Sequence, residues 1–193
     1  MFNQKIILAS QSPRRRELLH LAEIDFDVIV ADTDESYPTD LSFEEIAIYI
    51  AKNKALAVAG KNATDTIILA ADTIVICNGE LIGKPKDEED AVKIISKLSG
   101  NKHSVITGVY MVLHSKEIFF AEATDVTFHS LTQTQIKHYV NKYRPYNKAG
   151  AYAIQEWIGA IGIKNINGDF YNVMGLPISR VVAALNEFSF KLF

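Results

Sequence analysis

The sequence lacks the features of a disulfide-stabilised, membrane-spanning or secreted protein. It contains one cysteine, Cys77, so an internal disulfide is excluded, and its apolar surroundings predict a small core residue. No apolar run reaches the length of a membrane span, and the first residues lack the basic and apolar segments of a secretory signal. We therefore expect a cytoplasmic protein with no membrane association.

Positive charge is also scarce. Lysine and arginine total 20 residues against 23 acidic ones, for a formal net charge of −3. A protein that coats nucleic acid is broadly basic, so this balance argues against a nucleic-acid partner. Three arginines nevertheless adjoin at Arg14, Arg15 and Arg16. Such local positive charge favours a small anionic ligand over a polymer.

Several catalytic templates are missing as well. Residues 79–84 do not form a phosphate-binding P-loop, because the glycine spacing is one short and proline follows the lysine. The chain has no GxSxG, HExxH or GxGxxG motif, and its five histidines do not fall at metal-ligand spacings. These absences disfavour a zinc site and a Ser-His-Asp hydrolase.

Strand and helix patterns alternate along the chain. Apolar runs predict strands at 5–9, 26–30, 66–77, 104–113 and 117–128. Asn78-Gly79 and Asn167-Gly168 predict hairpins. Helices are predicted at 12–22 (with Leu18, Leu19 and Leu21 facing inward), 42–59, 91–98, 132–143 and from Gly175-Leu176-Pro177 to about residue 188. With no linker or repeat, residues 1–193 are expected to form a single α/β domain with a mixed sheet.

The first predicted helix has a donor-rich start. Ser12 suits the N-cap, where its hydroxyl can accept a backbone N–H, and Pro13 suits the first helical position. The free N–H groups and the helix dipole then add to the guanidinium charges of Arg14 and Arg15, which fork well onto phosphate oxygens. A solvated basic turn is the alternative.

Other polar residues stand in unusual surroundings. Asp72 interrupts an apolar strand, where a carboxylate needs a cation, a metal or several donors; it either holds a neighbouring loop or serves as a metal ligand or general base. Lys84 is presented by the constrained Gly83-Lys84-Pro85 loop, or is simply solvated. Gln155 follows a run of small residues and either reads a base edge or caps a strand. Lys52 and Lys54 share a helix, and only one of them can follow its apolar edge.

In this order, the segments resemble the Maf family of nucleoside triphosphate pyrophosphatases. The resemblance implies an α/β fold like that of inosine triphosphatases, with a mixed twisted sheet, flanking helices, two lobes around a central cleft and, often, a homodimer. The matching pieces are Leu8-Ala9-Ser10-x-Ser12-Pro13-Arg14-Arg15, Ala71-Asp72-Thr73-Ile74-Val75, Lys84-Pro85, Leu98-Ser99-Gly100 with His103, Thr107-Gly108-Val109, Lys148-Ala149-Gly150-Ala151-Tyr152-x-Ile154-Gln155 and Gly175-Leu176-Pro177.

The resemblance also implies a reaction. The family cleaves a nucleoside triphosphate between its α and β phosphates with a divalent cation, Mg²⁺ or Mn²⁺. By position, Asp72 is the proposed proton acceptor, and Arg14, Thr73 and Gln155 resemble the specificity residues of the branch that acts on dTTP and UTP. Asn147 stands where the family usually has aspartate, which removes a negative charge near Lys148.

Residues and resemblance together predict the site. Glu35 and Asp72 are expected to hold the metal, and Thr73 and Gln155 to bind the pyrimidine edge. Asp72, Lys84 and Glu35 are the predicted catalytic residues. Phosphate binding is assigned to Ser10, Ser12, Arg14, Arg15, Lys54 and Lys84.

Three other functions remain open at this point. One is a non-catalytic nucleotide-binding regulator of septum formation and cell division. Another is a pyrophosphatase for modified purine nucleotides such as 7-methyl-GTP. A nucleic-acid-binding module is the third, although the acidic net charge argues against it.

Overall fold

The computed structural model describes residues 5–60 and 65–190, and its elements alternate between strand and helix. The strands are β1 (Lys5–Leu8), β2 (Asp27–Val28), β3 (Thr66–Cys77), β4 (Glu80–Ile82), β5 (Lys102–Leu113), β6 (Lys116–Phe128) and β7 (Ile163–Asn167). The helices are α1 (Pro13–Leu21), α2 (Phe43–Ala59), α3 (Glu88–Leu98), α4 (Gln133–Tyr143), α5 (Trp157–Gly162), α6 (Phe170–Met174) and α7 (Ile178–Leu185). Short 3-10 turns lie at Ala149–Ala151 and Asn186–Phe188.

The described strands form a mixed sheet in the order β2-β1-β3-β5-β6-β7, with β4 paired to β3. Strand β1 runs parallel to β2 and β3, whereas the β3–β4 and β6–β7 pairs are antiparallel. The predicted α/β class with a mixed sheet and flanking helices is therefore confirmed. Of the described helices, none combines the length and the apolar character that a bilayer crossing requires.

The chain divides into two compact units. The first unit comprises Met1–Asp72, Thr107–Glu122 and Gly175–Phe193, and the second comprises Thr73–Ile106 and Ala123–Met174. The expectation of a single domain over residues 1–193 stays a prediction.

In the first unit, helix α2 packs on the sheet through an apolar face. Ser42 and Glu45 form a capping box at its start, in which the Ser42 N–H donates to the Glu45 carboxylate over 2.8 Å. Gly108 of β5 lies so close to α2 that an added Cβ would stand 2.2 Å from the Ala47 carbonyl carbon. The buried cluster consists of Ile7, Ala9, Ala51, Ala55, Val58, Ile68, Ala70, Tyr110 and Val112.

In the second unit, the predicted Asn78-Gly79 hairpin is confirmed. Both residues have positive φ, at 53° and 76°, as a type I′ turn requires. Cys77, at the end of β3, is fully buried, which confirms its predicted place in the core. Helix α4 begins with a capping box at Thr132 and Gln135 and contacts α3.

Three local predictions are wrong. Ser12 is the N-cap residue of α1, but its side chain makes no cap hydrogen bond. Leu21 is 64% exposed, whereas Leu18 and Leu19 are buried, because Leu21 projects about 160° around the helix from Leu19. Asn167-Gly168 forms no hairpin: β7 ends at Asn167 and helix α6 follows. Gly168 instead has φ +131° and lies close to Thr124.

Candidate functional site

Three predicted site residues meet around one ammonium group in the first unit. The Lys54 Nζ lies 2.6 Å from Asp72 Oδ1 and 2.8 Å from Glu35 Oε1. The side chains of Lys54 and Asp72 are 18% and 15% exposed, so the ion pair is shielded, whereas the Glu35 side chain is half exposed. The cation that a carboxylate on an apolar strand requires is therefore a lysine in the C-terminal half of α2. Lys52 is more exposed and pairs with Glu117.

Arg15 is held beside this group by two hydrogen bonds. Its Nε donates to the Gly175 carbonyl oxygen over 2.8 Å, and its Nη1 donates to the Ser10 hydroxyl over 2.9 Å. Burial lowers the pKa of Arg15 to about 10, against the opposing attraction of Asp72 and Glu35. The guanidinium thus stays charged at neutral pH and adds positive potential to the carboxylates.

The start of α1 differs from its predicted form. Ser10, rather than Ser12, is the hydroxyl that organises the turn, since it accepts both from Arg15 and, over 3.3 Å, from the Ser12 N–H. Arg14 is half buried and close enough to Arg15 for the two charges to repel each other. The first unit therefore brings Ser10, Ser12, Arg14 and Arg15 into one cationic turn.

The Glu35 and Asp72 carboxylates suit a divalent cation whose coordination shell is completed by water and substrate oxygens. Glu35 Oε1 and Asp72 Oδ1 both contact the Lys54 ammonium, so the two oxygens lie close enough to each other to contribute to one cation site. Within residues 5–60 and 65–190, no group of three or more His, Cys, Asp or Glu side chains forms a full metal cage. Mg²⁺ commonly takes one or two carboxylates and completes its shell with water and phosphate oxygens, so this donor set suits it.

The remaining predicted residues belong to the second unit. Thr73 follows Asp72 in β3 and is half buried, while Lys84 and Gln155 are exposed. The Gly150 N–H donates to the Gly83 carbonyl over 3.2 Å, which ties the segment before Lys84 to the segment before Gln155. The roles predicted for Thr73, Lys84 and Gln155 stay predictions.

The sequence analysis missed the partner of Lys148. Lys148 is 7% exposed, and its Nζ pairs with Glu156 Oε1 over 2.9 Å. The other Glu156 oxygen accepts from the Tyr139 hydroxyl. Asn147 removes a charge that the family usually supplies, and Glu156, directly after Gln155, supplies one. Only the path of the intervening loop brings the two ends together, so the sequence carried no spacing signal for this pair.

Comparison with known proteins identifies the family of this chain. The Maf-like protein family matches residues 5–188, nearly the whole described chain. The chain belongs to the Maf-like protein family. Two Maf-like relatives carry the name dTTP/UTP pyrophosphatase: one from Parabacteroides distasonis is 46% identical over 95% of this chain and 96% of its own length, and one from Bacillus velezensis is 44% identical over 97% and 98%. Among solved structures, the Staphylococcus aureus Ham1 protein is similar over 65% of this chain and 72% of its own, with 18% identity and a TM-score of 0.46.

The first-unit cluster of this Maf-like chain is suited to polyanion chemistry. Arg14, Arg15 and Lys54 provide three cations, and Glu35 and Asp72 provide two carboxylates that both contact the Lys54 ammonium. A ligand with several phosphates can pair with the cations while the carboxylates hold a metal ion or a water molecule.

Proposed function

We propose that this chain is a nucleoside triphosphate pyrophosphatase that hydrolyses dTTP and UTP at the α–β phosphoanhydride, giving a nucleoside monophosphate and pyrophosphate. The observation that carries the proposal is the junction of Lys54, Glu35 and Asp72 beside the buried Arg15. The near full-length similarity to relatives named dTTP/UTP pyrophosphatase supports the pyrimidine substrates. Hydrolysis of the triphosphate serves to clean the nucleotide pool.

Phosphate binding rests on the cations of the first unit. A nucleoside triphosphate carries about four negative charges, and its hydrolysis depends on neutralising charge and aligning water. Arg14 and Lys54 bind phosphate oxygens, and Arg15 adds charge from a position fixed by Ser10 and Gly175. Lys84 is assigned a phosphate contact as well.

Glu35 and Asp72 are the residues that would hold a divalent cation, Mg²⁺ or Mn²⁺. The cation would supply charge neutralisation at the phosphates and increase the acidity of water. Asp72 orients the attacking water and accepts its proton, since its side chain is only 15% exposed and is held away from bulk water. Lys54 offsets the repulsion between the two carboxylates, so they stay close in the absence of substrate.

Base selection is assigned to Arg14, Thr73 and Gln155. Thr73 and Gln155 can hydrogen-bond the carbonyl and N–H edge of a pyrimidine. A wrong base would leave these polar groups unpaired, which is how polar pockets discriminate strongly. A cytoplasmic location and a homodimer remain predictions, which cell fractionation and analytical ultracentrifugation test.

The test is pyrophosphate release from a panel of common and modified triphosphates, with and without Mg²⁺, in the parent and in Asp72→Asn. The variant keeps the shape and removes the charge, so we expect kcat to fall by about a hundredfold or more. Asp65→Asn, at a carboxylate whose side chain is 86% exposed, is the matched control and should retain parent activity. Asp72→Asn within a few-fold of the parent would disprove the assignment of Asp72.

The panel also separates the other candidate functions. Binding of triphosphates without any pyrophosphate release would favour a nucleotide-binding regulator. Preference for a modified purine such as 7-methyl-GTP would replace the pyrimidine substrates while leaving the reaction class in place.

A further inference from the structure

We propose that the ion pair between the buried Lys148 and the partly exposed Glu156 positions Gln155 and Lys84, and so sets the discrimination between bases. Lys148 and Glu156 are positioning residues, since they act through the backbone that carries Gln155 and Lys84 and are themselves joined to each other and to Tyr139. The inference rests on the proposed function, and it lies entirely within the second unit.

The ion pair joins the two ends of the loop formed by residues 148–156. Lys148 and Glu156 are eight positions apart, and the 2.9 Å contact between Lys148 Nζ and Glu156 Oε1 joins them. The Tyr139 hydroxyl donates to the second Glu156 oxygen and accepts from the Ala153 N–H over 3.2 Å. The fully buried Tyr139 ring in α4 therefore anchors the loop that the ion pair closes.

One side of this loop holds the segment before Lys84. Gly150 and Ala151 adopt positive φ of 69° and 57°, a conformation that costs energy at alanine and needs support from its surroundings. The Ala151 N–H donates to the Lys148 carbonyl over 3.0 Å, and the Gly150 N–H donates to the Gly83 carbonyl over 3.2 Å. Displacement of Lys148 would therefore be transmitted to the backbone next to Lys84.

The other side of the loop holds Gln155. The Glu156 N–H donates to the Ala153 carbonyl over 3.1 Å, which closes a turn with Gln155 at its exposed position. Gly159 packs against the Ile154 carbonyl so closely that an added Cβ would stand 1.7 Å from the oxygen. The backbone on both sides of Gln155 is thus fixed, and Glu156 is the side chain that links it to Lys148.

If the loop required only stability, apolar contacts would close it with a smaller desolvation free energy than an ion pair does. Removing two charges from water costs several kcal/mol per ion, and apolar residues of similar size often stabilise a protein as well or better. The pair is directional, however, because two carboxylate oxygens meet two donors on different elements, Lys148 and Tyr139. We infer that its role is to orient the exposed Gln155, which the proposed function assigns to the base.

The experiment compares Lys148→Met, Glu156→Gln and Lys148→Arg with the parent. Lys164→Met, the same change at an exposed lysine of the second unit, is the control. Two measurements are made: kcat and KM for dTTP, UTP and CTP, and amide hydrogen exchange across 80–86 and 148–157. The second does not depend on activity.

Lys148→Met should lower the kcat/KM ratio of dTTP over CTP by about tenfold or more, because a displacement near 1 Å is enough to spoil a polar contact. It should also speed exchange at Gly150, Ala151 and Ala153 and near Gly83. Glu156→Gln, which keeps an acceptor for Tyr139, should give a smaller loss, and Lys148→Arg should restore much of the ratio. Lys164→Met should match the parent.

A Lys148→Met variant that loses thermal stability but keeps the parent ratio of dTTP over CTP would overturn the inference, as would unchanged exchange in both segments. If Lys148→Met does not fold, Glu156→Gln decides by the same two readouts. A parent enzyme that releases no pyrophosphate from any triphosphate would instead disprove the proposed function. An active parent with an unaltered Lys148→Met variant would disprove only the role inferred for the ion pair.

Discussion

Arg14 and Arg15 are neighbours in the sequence, yet the structure gives them different surroundings. Arg15 is 8% exposed and donates to Ser10 and to the Gly175 carbonyl, whereas Arg14 is half buried in the first turn of α1. The sequence alone treated both as phosphate ligands, because a run of arginines does not reveal which side chain points into the unit. The hydrogen bonds of Arg15 give it a structural role in addition.

Substituting each arginine in turn by methionine should separate these roles. Arg15→Met leaves the Ser10 hydroxyl and the Gly175 carbonyl without their donor, so we expect the free energy of unfolding to fall by about 2–3 kcal/mol. Arg14→Met should lower stability less than Arg15→Met does, because Arg14 is only half buried, and should lower kcat/KM by about tenfold to a thousandfold. Arg16→Met, at an exposed arginine of the same helix, is the control for both. Urea unfolding and steady-state kinetics give the two readouts, and equal losses of stability for Arg14→Met and Arg15→Met would contradict the assignment.

His103 is a buried histidine whose environment favours the neutral ring. It is 2% exposed, its Nε2 lies 2.8 Å from the Tyr152 hydroxyl, and it packs edge-on against Phe128. Burial lowers the pKa of His103 to about 4, against a smaller opposing effect of Asp125. The unfolded chain therefore binds more protons than the folded one between about pH 4 and pH 6.5.

The free energy of unfolding should accordingly fall as the pH is lowered through this window. The contribution of His103 is fully present above about pH 6.5 and is lost as the pH approaches 4, with a limit of about 3 kcal/mol. His103→Gln keeps a partner for Tyr152 and removes the titration. The stability advantage of the parent over His103→Gln should shrink between about pH 7 and about pH 4.5, as measured by urea unfolding. A constant difference in the free energy of unfolding between the parent and His103→Gln across this range would contradict the prediction.

At the level of elements, local chemistry predicted most boundaries. The helix starts predicted at 42 and 132 and the predicted Asn78-Gly79 turn are confirmed, and the structure shows a capping box at each helix start and positive φ at both turn residues. Local patterns did not predict the structure of residues 150–162. Its glycines serve close packing and positive φ, and α5 is too short to show helical periodicity. Asn167-Gly168 has hairpin composition, but contacts with Thr124 determine the path of the chain there.

Gly108 shows how an element contact constrains a single position. A Cβ at Gly108 would lie 2.2 Å from the Ala47 carbonyl carbon and 2.4 Å from the Ile48 nitrogen, so β5 and α2 would have to separate. We expect Gly108→Ala to lower the free energy of unfolding by about 3 kcal/mol. At Gly83 an added Cβ meets nothing within 4 Å, so Gly83→Ala should change stability little. Urea unfolding of both variants is the test, and a neutral Gly108→Ala would mean that the packing of α2 on β5 is looser than described.

At the level of the whole molecule, the sequence identified the acid of the site but not its partner. Asp72 was conspicuous because it interrupts an apolar strand. Lys54 stands 18 residues earlier in a helix, and Glu35 lies in a polar loop where glutamates are common, so no local pattern connects the three. The resemblance to the family gave the role of Asp72, and Lys54 and Glu35 were assigned from the charges that a triphosphate and its metal ion require. The Lys148–Glu156 pair escaped both approaches, since Glu156 falls outside the matching motif.

Because Glu35 and Asp72 add two negative charges beside the cations of the site, a triphosphate should bind more tightly with an added divalent cation. We expect a non-hydrolysable dTTP analogue with Mg²⁺ to stabilise the protein by about 2.7 kcal/mol when the ligand is present at about a hundred times its Kd. The analogue in EDTA should give a much smaller rise in Tm, and EDTA should abolish pyrophosphate release from dTTP. Differential scanning calorimetry checks the first expectation. An equal rise in Tm with and without Mg²⁺ would show that Glu35 and Asp72 need no metal for binding.

The solitary sulfhydryl at the end of β3 offers a built-in reporter of opening. Cys77 is inaccessible in the folded chain, and burial raises its pKa, so a disulfide reagent such as Ellman's must wait until the β3–β4 turn region separates. The chain contains no second thiol to compete for the reagent. Colour development at increasing urea therefore times the exposure of this strand end in the unlabelled natural sequence, without any engineered probe.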